Sequence, residues 1–159
     1  MPSGRTHTTV DLILLLSILV ALFSWSGVVI DWVGSTERFR TCVIGFCLAY
    51  LFSVFFLSPD LDLDRCRARS RWGIFGVLWY PYSKVFRHRG ISHSIIFGMV
   101  TRILYLILIV ALLQLGLRRF LGVDIGLSVE RSIDFYAVGA VAVGLYIPDA
   151  MHIILDRLI

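Results

Sequence analysis

The stretch from Ile133 to Ile159, IDFYAVGAVAVGLYIPDAMHIILDRLI, decides the fold that this sequence predicts. An α-helix rises about 1.5 Å per residue, so an apolar run of this length is long enough to cross a hydrocarbon core of about 30 Å. Its final third nevertheless contains Pro148, Asp149, His152 and Asp156, which a simple membrane anchor would lack. Ionisable side chains in membrane helices usually face a polar interior rather than lipid. The stretch therefore predicts a membrane helix that carries part of a polar site.

Three further apolar runs predict three further membrane helices. Of the 159 residues, 58% are hydrophobic and only 16% are charged, a composition that excludes an ordinary soluble domain. The first run is too long for a signal peptide and lacks a small-residue cleavage site, so we interpret it as a retained helix. We expect one all-α integral membrane domain over residues 1–159, with about four transmembrane helices near 10–33, 39–57, 91–117 and 133–158.

A basic and aromatic loop, residues 58–90, connects the second and third predicted helices. Its segment Trp72–Tyr82 is apolar but too short to span a bilayer, which predicts a short helix lying in the membrane interface. In the preceding segment, Arg65–Arg71, every second residue is an arginine. These arginines either set the topology or bind anionic lipid headgroups or a phosphorylated substrate.

The distribution of positive charge favours one orientation. The N-terminus, the 58–90 loop and the C-terminus carry more arginine and lysine than the loops on the opposite side. Because positively charged loops stay in the cytoplasm, we expect a multi-pass protein of the plasma (inner) membrane with both termini and the long loop cytoplasmic. All four histidines lie at helix ends on that side: His7, His88, His93 and His152.

Asp149, His152 and Asp156 share one face of the fourth predicted helix. At about 100° per residue, their directions fall within about 60° of one another. A histidine and an aspartate four residues apart can bind one metal ion together, as ligands on a single helix face do in zinc sites. The alternative is that Asp156 pairs with an arginine while His152 only reaches the interface.

Three aspartates, Asp60, Asp62 and Asp64, alternate with leucines directly after Pro59. In an extended segment this alternation places the carboxylates on one side of the chain. Clustered carboxylate oxygens favour hard or borderline divalent cations. We therefore predict Asp60 and Asp62 as metal ligands, with a solvated acidic turn balanced by the following arginines as the alternative.

His88 and His93 flank Gly90 at the start of the third predicted helix. A glycine turn can bring the two imidazoles together, so both are candidate metal ligands. Arg87 and Arg89 offer charge-assisted donors that suit phosphate, and we predict them as substrate-binding residues.

Two further polar residues lie outside these clusters. His7 precedes the first predicted helix, where Thr8 and Asp11 have the spacing of a capping box. It is a candidate ligand because it lies on the same side as the other histidines. Arg102 lies inside the third predicted helix, on the face opposite His93, so we expect it to snorkel or to pair with another helix.

Six short motifs occur in an order that resembles a bacterial family of small membrane proteins described as metal-binding. They are Gly4-Arg5-Thr6-His7, Pro59-Asp60-Leu61-Asp62, Arg71-Trp72-Gly73, Trp79-Tyr80-Pro81-Tyr82, His88-Arg89 with Ser92-His93, and His152-x-x-x-Asp156. More distantly, the sequence is similar to the YdjM-type inner-membrane proteins assigned as metal-dependent hydrolases. The resemblance covers nearly the whole chain. It implies a metal site formed by His7, Asp60, Asp62, His88 or His93, His152 and Asp156, whereas Asp149 rests on helix phase alone.

Together these features predict a membrane-embedded, metal-dependent hydrolase. We expect it to bind a divalent ion (zinc, manganese, iron or magnesium) and to act on a phosphoester or lipid at the cytoplasmic membrane face. Membrane lipid, including anionic lipid, is the expected partner, and no nucleic acid is expected. The alternatives are a non-enzymatic metal-binding or metal-transport protein, whose transport ligands would lie nearer the membrane midplane, and a structural subunit.

Overall fold

The computed structural model describes residues 4–63, 66–86, 94–95, 97–123 and 133–158, and every regular element within these ranges is helical. The α-helices are α1 (Gly4–Ser24), α2 (Ser26–Val33), α3 (Thr36–Phe56), α4 (Arg67–Arg71), α5 (Tyr80–Val85), α6 (Phe97–Leu121) and α7 (Phe135–Leu158). Two 3₁₀ segments, Pro59–Asp62 and Gly73–Trp79, lie between α3 and α5. The all-α class predicted from the sequence is confirmed.

Four of these helices, α1, α3, α6 and α7, are long and apolar enough to cross a membrane. The first differs from the single helix predicted over residues 10–33, because the chain forms α1 and α2 with an interruption at Trp25. Trp25 has φ −107° and ψ 18°, outside the helical range. The surrounding Ser24, Ser26 and Gly27 are weak helix formers, which accounts for the break.

The centre of the fold is the contact between α3 and α7, which is the most extensive helix pairing in the described structure. Gly144 of α7 lies against the backbone of α3, where an added methyl group would be 2.5 Å from the carbonyl oxygen of Phe46 and 3.1 Å from Cβ of Ala49. Only glycine permits this approach. One turn along α3, the Ser53 hydroxyl donates a hydrogen bond of 2.8 Å to the Leu145 carbonyl, which ties the two helices together.

Helix α6 is attached to this centre by Arg102, whose side chain is fully buried. Its guanidinium donates to the Gly98 carbonyl of its own helix at 2.9 Å, to the Leu57 carbonyl at the end of α3, and to Asp149 Oδ1 of α7 at 2.5 Å. Of the two expectations for Arg102, pairing with another helix is therefore confirmed. A charge in an apolar bundle is stable only when paired and hydrogen-bonded in this way.

The segment from Cys66 to Phe86 packs as a small aromatic cluster rather than as one interfacial helix. Trp79 and Tyr82 are fully buried, and the Trp72 indole donates a hydrogen bond of 3.0 Å to the Phe56 carbonyl at the end of α3. The predicted short helix over residues 72–82 is thus a 3₁₀ segment followed by α5. Ile74, Phe75 and Val77 face outward from it and leave an apolar outer surface.

The close approach at Gly144 leads to a matched pair of substitutions. Gly144→Ala should lower the free energy of unfolding by about 1–3 kcal/mol, because the methyl group forces α3 and α7 apart. Gly139→Ala in the same helix should be neutral or stabilising, because nothing lies within 4 Å of its added methyl group. Thermal unfolding of both variants in detergent measures the difference. Equal effects of the two substitutions would contradict this account of the α3–α7 contact.

Candidate metal centre

Two histidines from the first and last described helices stack face to face. The ring centroids of His7 on α1 and His152 on α7 are 4.0 Å apart, and the ring planes differ by 17°. Both residues are buried, with exposures of 5% and 6%. The pairing brings together two of the four sequence-predicted histidines from widely separated parts of the chain.

One carboxylate faces both imidazoles. Asp156 Oδ1 is 3.1 Å from His7 Nε2, and Asp156 Oδ2 is 3.4 Å from His152 Nε2. His152 and Asp156 are four residues apart on α7, so the helix-phase prediction for this pair agrees with the observed contact. One ligand atom from each of His7, His152 and Asp156 lies within 4.8 Å of the others, an arrangement that could hold a metal ion.

A second carboxylate approaches from the turn that follows α3. Asp60 Oδ2 is 3.5 Å from His152 Nε2, and the Asp60 side chain is 28% exposed. The prediction of an extended segment here is wrong, because Pro59–Asp62 is a 3₁₀ turn that begins with a hydrogen bond from the Asp60 amide to the Ser58 hydroxyl. Proline supplies the fixed φ that such a turn needs.

The turn also separates the two aspartates that were predicted to act together. A 3₁₀ segment has about three residues per turn, so Asp60 and Asp62 point in different directions. Asp62 is 5% exposed and lies on the side of the aromatic cluster. There, burial raises the pKa of the Tyr82 hydroxyl, and the Asp62 carboxylate acts in the same direction. Of these two aspartates, Asp60 is therefore the one that lies beside the histidine pair.

Asp149 shares a helix face with His152 but has a different partner. Its Oδ1 accepts the hydrogen bond from Arg102, and both side chains are almost completely buried. The carboxylate predicted as a metal ligand is thus committed to an ion pair that joins α6 to α7. His88 and His93, together with Arg87 and Arg89, lie outside the described residues, so their assignments stay predictions.

Three residues beside the centre were not assigned to it from the sequence. Asp11 is 3% exposed and lies one turn after His7 on α1. Arg67 and Arg71, on one face of α4, line the same small cavity as His7 and Asp60. The spacing His7-x-x-x-Asp11 repeats that of His152-x-x-x-Asp156 and was the signal available for Asp11. The capping-box interpretation of Thr8 and Asp11 was wrong, because α1 already begins at Gly4.

The donors present suit a divalent cation. Two imidazole nitrogens with one or two carboxylate oxygens are a ligand set typical of zinc, manganese or iron. His7 Nδ1 is buried and makes no hydrogen bond with any described group, which leaves that ring without a partner on the side away from Asp156. A histidine binds a metal ion through the lone pair of its neutral imidazole, and the neighbouring carboxylates supply negative charge that offsets the charge of the cation. The residues therefore fit a metal site.

The fold and the centre define an all-helical protein with four helices of membrane-spanning length and a His-His-Asp group at one end of the bundle. Comparison with known proteins agrees with the metal-binding part of this description. Residues 2–159 match the family described as "Uncharacterized metal-binding protein (DUF2227)", and the chain belongs to this family.

A relative from Aquifex aeolicus (strain VF5), described as "Uncharacterized protein", is 43% identical over 63 residues. The alignment covers 40% of this chain and 45% of the relative, so it spans less than half of that protein's length. No solved structure matches the chain. The metal-binding description of the family and the observed ligand group therefore point to the same property.

The two roles considered for Asp149 can be separated by one substitution. Asp149→Asn should lower stability by about 3–5 kcal/mol, because it leaves the buried Arg102 guanidinium without its carboxylate. It should leave the metal content of the purified protein unchanged. Thermal unfolding and elemental analysis of the same preparation measure both quantities. Loss of the metal with unchanged stability would instead make Asp149 a ligand.

Proposed function

We propose that this chain is a membrane-embedded metal-dependent hydrolase whose divalent cation is held by His7, His152 and Asp156. The observation that carries the proposal is the convergence of His7 Nε2 and His152 Nε2 on the two oxygens of Asp156, at 3.1 Å and 3.4 Å. The sequence resemblance to YdjM-type hydrolases supports the same reaction class. The proposed substrate is a phosphoester, free or carried by a lipid, at the cytoplasmic membrane face.

The residues around the ligand group have separable roles in such a reaction. A bound divalent cation lowers the pKa of a water ligand and stabilises negative charge on a substrate oxygen. Asp60 is the more exposed carboxylate and lies 3.5 Å from His152 Nε2, so it is the group placed to accept a proton from an attacking water. His7 and His152 are held in place by their mutual stacking and by Asp156, which limits the motion of both rings.

An anionic substrate is supported by two of the three arginines of α4, Arg67 and Arg71. Arg71 donates to the Val54 and Phe55 carbonyls at 3.5 Å and 3.2 Å, and its guanidinium lies 4.8 Å from the Phe55 ring centroid. Arg67 has no side-chain hydrogen bond or ion pair to any described group, and it lines the cavity beside His7 and Asp60. A guanidinium at this place can bind a phosphate oxygen directly. The predicted contributions of Arg87 and Arg89 would add to it.

The membrane location is part of the proposal. The four long apolar helices are consistent with a multi-pass protein. The excess of arginine near the end of the bundle that holds the ligand group supports a cytoplasmic location for that end, since positively charged loops are retained there. A phosphorylated lipid could then reach the site from the inner leaflet.

A second candidate function is favoured by the small size of the site. The cavity lined by His7, Asp11, Asp60 and His152 has about 30 Å³ of space for a water-sized molecule, and the ligand side chains are 6–15% exposed. Enclosed metal sites of this kind are typical of structural or binding roles, whereas catalytic sites keep an open position. A non-enzymatic metal-binding protein is therefore the alternative. Transport is less favoured because Asp149, the candidate nearest the middle of α7, is paired with Arg102.

Metal binding is tested first. Protein purified in detergent, stripped with a chelator and reloaded with zinc, manganese or iron, should retain about one divalent ion per chain by elemental analysis. His152→Ala and Asp156→Asn should lose it, while Asp31→Asn, a matched change on the exposed face of α2, should retain it. An absence of bound metal in the unmodified protein, or its retention in both ligand variants, would overturn the proposed site.

Hydrolysis is tested separately on the metal-loaded protein. Release of product from a generic phosphodiester or from a phospholipid in mixed micelles should require the metal and should be lost in Asp60→Asn, because the proton acceptor is removed. Protein that binds metal stoichiometrically but hydrolyses neither substrate would refute the hydrolase and leave the enclosed binding site as the function.

Arg67 allows the substrate class to be examined. Arg67→Ala should raise the KM for a phosphoester by roughly tenfold or more, the loss expected for one charge-assisted hydrogen bond, with unchanged metal content. Arg40→Ala, an exposed arginine near the start of α3, is the matched control and should leave KM unchanged. Equal KM values for all three proteins would exclude Arg67 from substrate binding.

A further inference from the structure

Asp11 is a buried carboxylate without an assigned role. It lies on α1, is 3% exposed, and its Oδ1 makes no hydrogen bond with any described group. The same turn of the helix is fixed from outside, because the Tyr50 hydroxyl of α3 donates a hydrogen bond of 2.8 Å to the Asp11 carbonyl. Keeping a carboxylate oxygen out of water without a hydrogen-bond donor is costly, so a donor to Oδ1 is expected close by.

A complementary unpaired atom lies one turn away. His7 Nδ1 is also buried and without a hydrogen bond to described groups, and His7 and Asp11 are four residues apart on the same helix. At about 100° per residue their directions differ by only about 40°. One atom is an imidazole nitrogen that donates when protonated, and the other is an acceptor. Helix α1 therefore carries a potential hydrogen-bond donor and an acceptor, one turn apart, that a bridging molecule could connect.

The space between them can hold the connecting molecule. His7 and Asp11 both line the cavity of about 30 Å³, together with the polar side chains of Thr8, Ser58 and Asp60. A buried water needs roughly 10–15 Å³ of such space and two to four polar partners. The cavity meets both conditions for a bridging water.

We propose that Asp11 is a positioning residue for the metal centre. Its carboxylate accepts, through a water in this cavity, the hydrogen bond donated by Nδ1–H of His7. This interaction holds His7 in the tautomer whose Nε2 carries a lone pair, directed at the position shared with Asp156 and His152. Histidine ligands commonly have such a carboxylate partner on the second ring nitrogen, which orients the ring and raises its basicity.

The inference rests on the proposed function in one respect, since it requires His7 to be a metal ligand. It adds a residue that lies outside the six motifs on which the sequence resemblance rests, and it gives the two His-x-x-x-Asp pairs different roles. On α7 the aspartate faces Nε2 of both histidines. On α1 the aspartate lines the same cavity as His7 and is proposed to act through its Nδ1.

The test compares Asp11→Asn with Asp31→Asn, the same change at an exposed position of α2. Zinc affinity is measured by competition with a chromophoric chelator, and thermal stability is measured on the metal-free proteins. We expect Asp11→Asn to bind zinc roughly 10–100-fold more weakly than the unmodified protein. Its metal-free form should be at least as stable as the unmodified metal-free protein, because a neutral isostere replaces a buried charge. Asp31→Asn should match the unmodified protein in both measurements.

Zinc affinity and metal-free stability of Asp11→Asn together decide whether Asp11 positions His7. Weaker zinc binding with undiminished metal-free stability supports the positioning role, because a residue that only held the fold would lower both together. Zinc affinity within about threefold of the unmodified protein would overturn the inference, as would a metal-free variant that unfolds at lower temperature or fails to fold. If the unmodified protein itself binds no zinc, manganese or iron, the proposed metal site has failed instead, so the two failures are distinguishable.

Discussion

The close contact of α3 with α7 at Gly144 sets the position of most groups in the candidate metal centre. The absence of a side chain at Gly144 lets the two backbones approach, and the Ser53–Leu145 hydrogen bond secures the pairing one turn further on. From there the turn that follows α3 passes beside the last part of α7. Asp60 consequently comes within 3.5 Å of His152 Nε2, although the two residues belong to separate motifs. A wider helix pair would remove Asp60 from the histidines without changing any ligand residue.

The ionisable side chains inside the bundle fall into two groups that differ in how their buried charge is balanced. Arg102 and Asp149 form a direct ion pair, in which each charge is balanced by the other and by carbonyl groups. His7, His152, Asp156 and Asp11 lack an arginine or lysine partner among the described ion pairs. An imidazole binds a cation through the lone pair of its neutral form, and the carboxylates offset the charge of that cation, so a bound metal ion would stabilise this second group inside the bundle. The separation explains why one part of α7 stabilises the fold while the next turn is available for binding.

Helix phase and motif order predicted the parts of the centre that depend on local geometry. His152 and Asp156 meet because residues four apart share a helix face, and the four apolar runs correspond to four long helices. The sequence was a weaker guide to which side chains pair between different helices. Arg102 was expected to pair with another helix or to snorkel, but nothing in the sequence selected Asp149 as its partner. The 3₁₀ turn at Pro59–Asp62 was also missed, because alternating aspartates and leucines are typical of an extended strand. Pro59, whose fixed φ favours a turn, was the signal against that interpretation. Asp11 was assigned to a capping box because of its spacing from Thr8, whereas its burial is revealed only by the tertiary structure.

The stacking of His7 on His152 has a consequence for the order in which the protein is made. The first of these residues lies in α1 and the second in α7, so a growing chain has only one of the two rings until its last described helix has been synthesised. The centre can therefore form only after α7 has been synthesised, and binding of a cation there would link α1 to α7. Such a link would hold the two helices together at one end of the bundle. Cation binding would therefore distinguish a chain in which α7 has packed against α1 from one in which it has not.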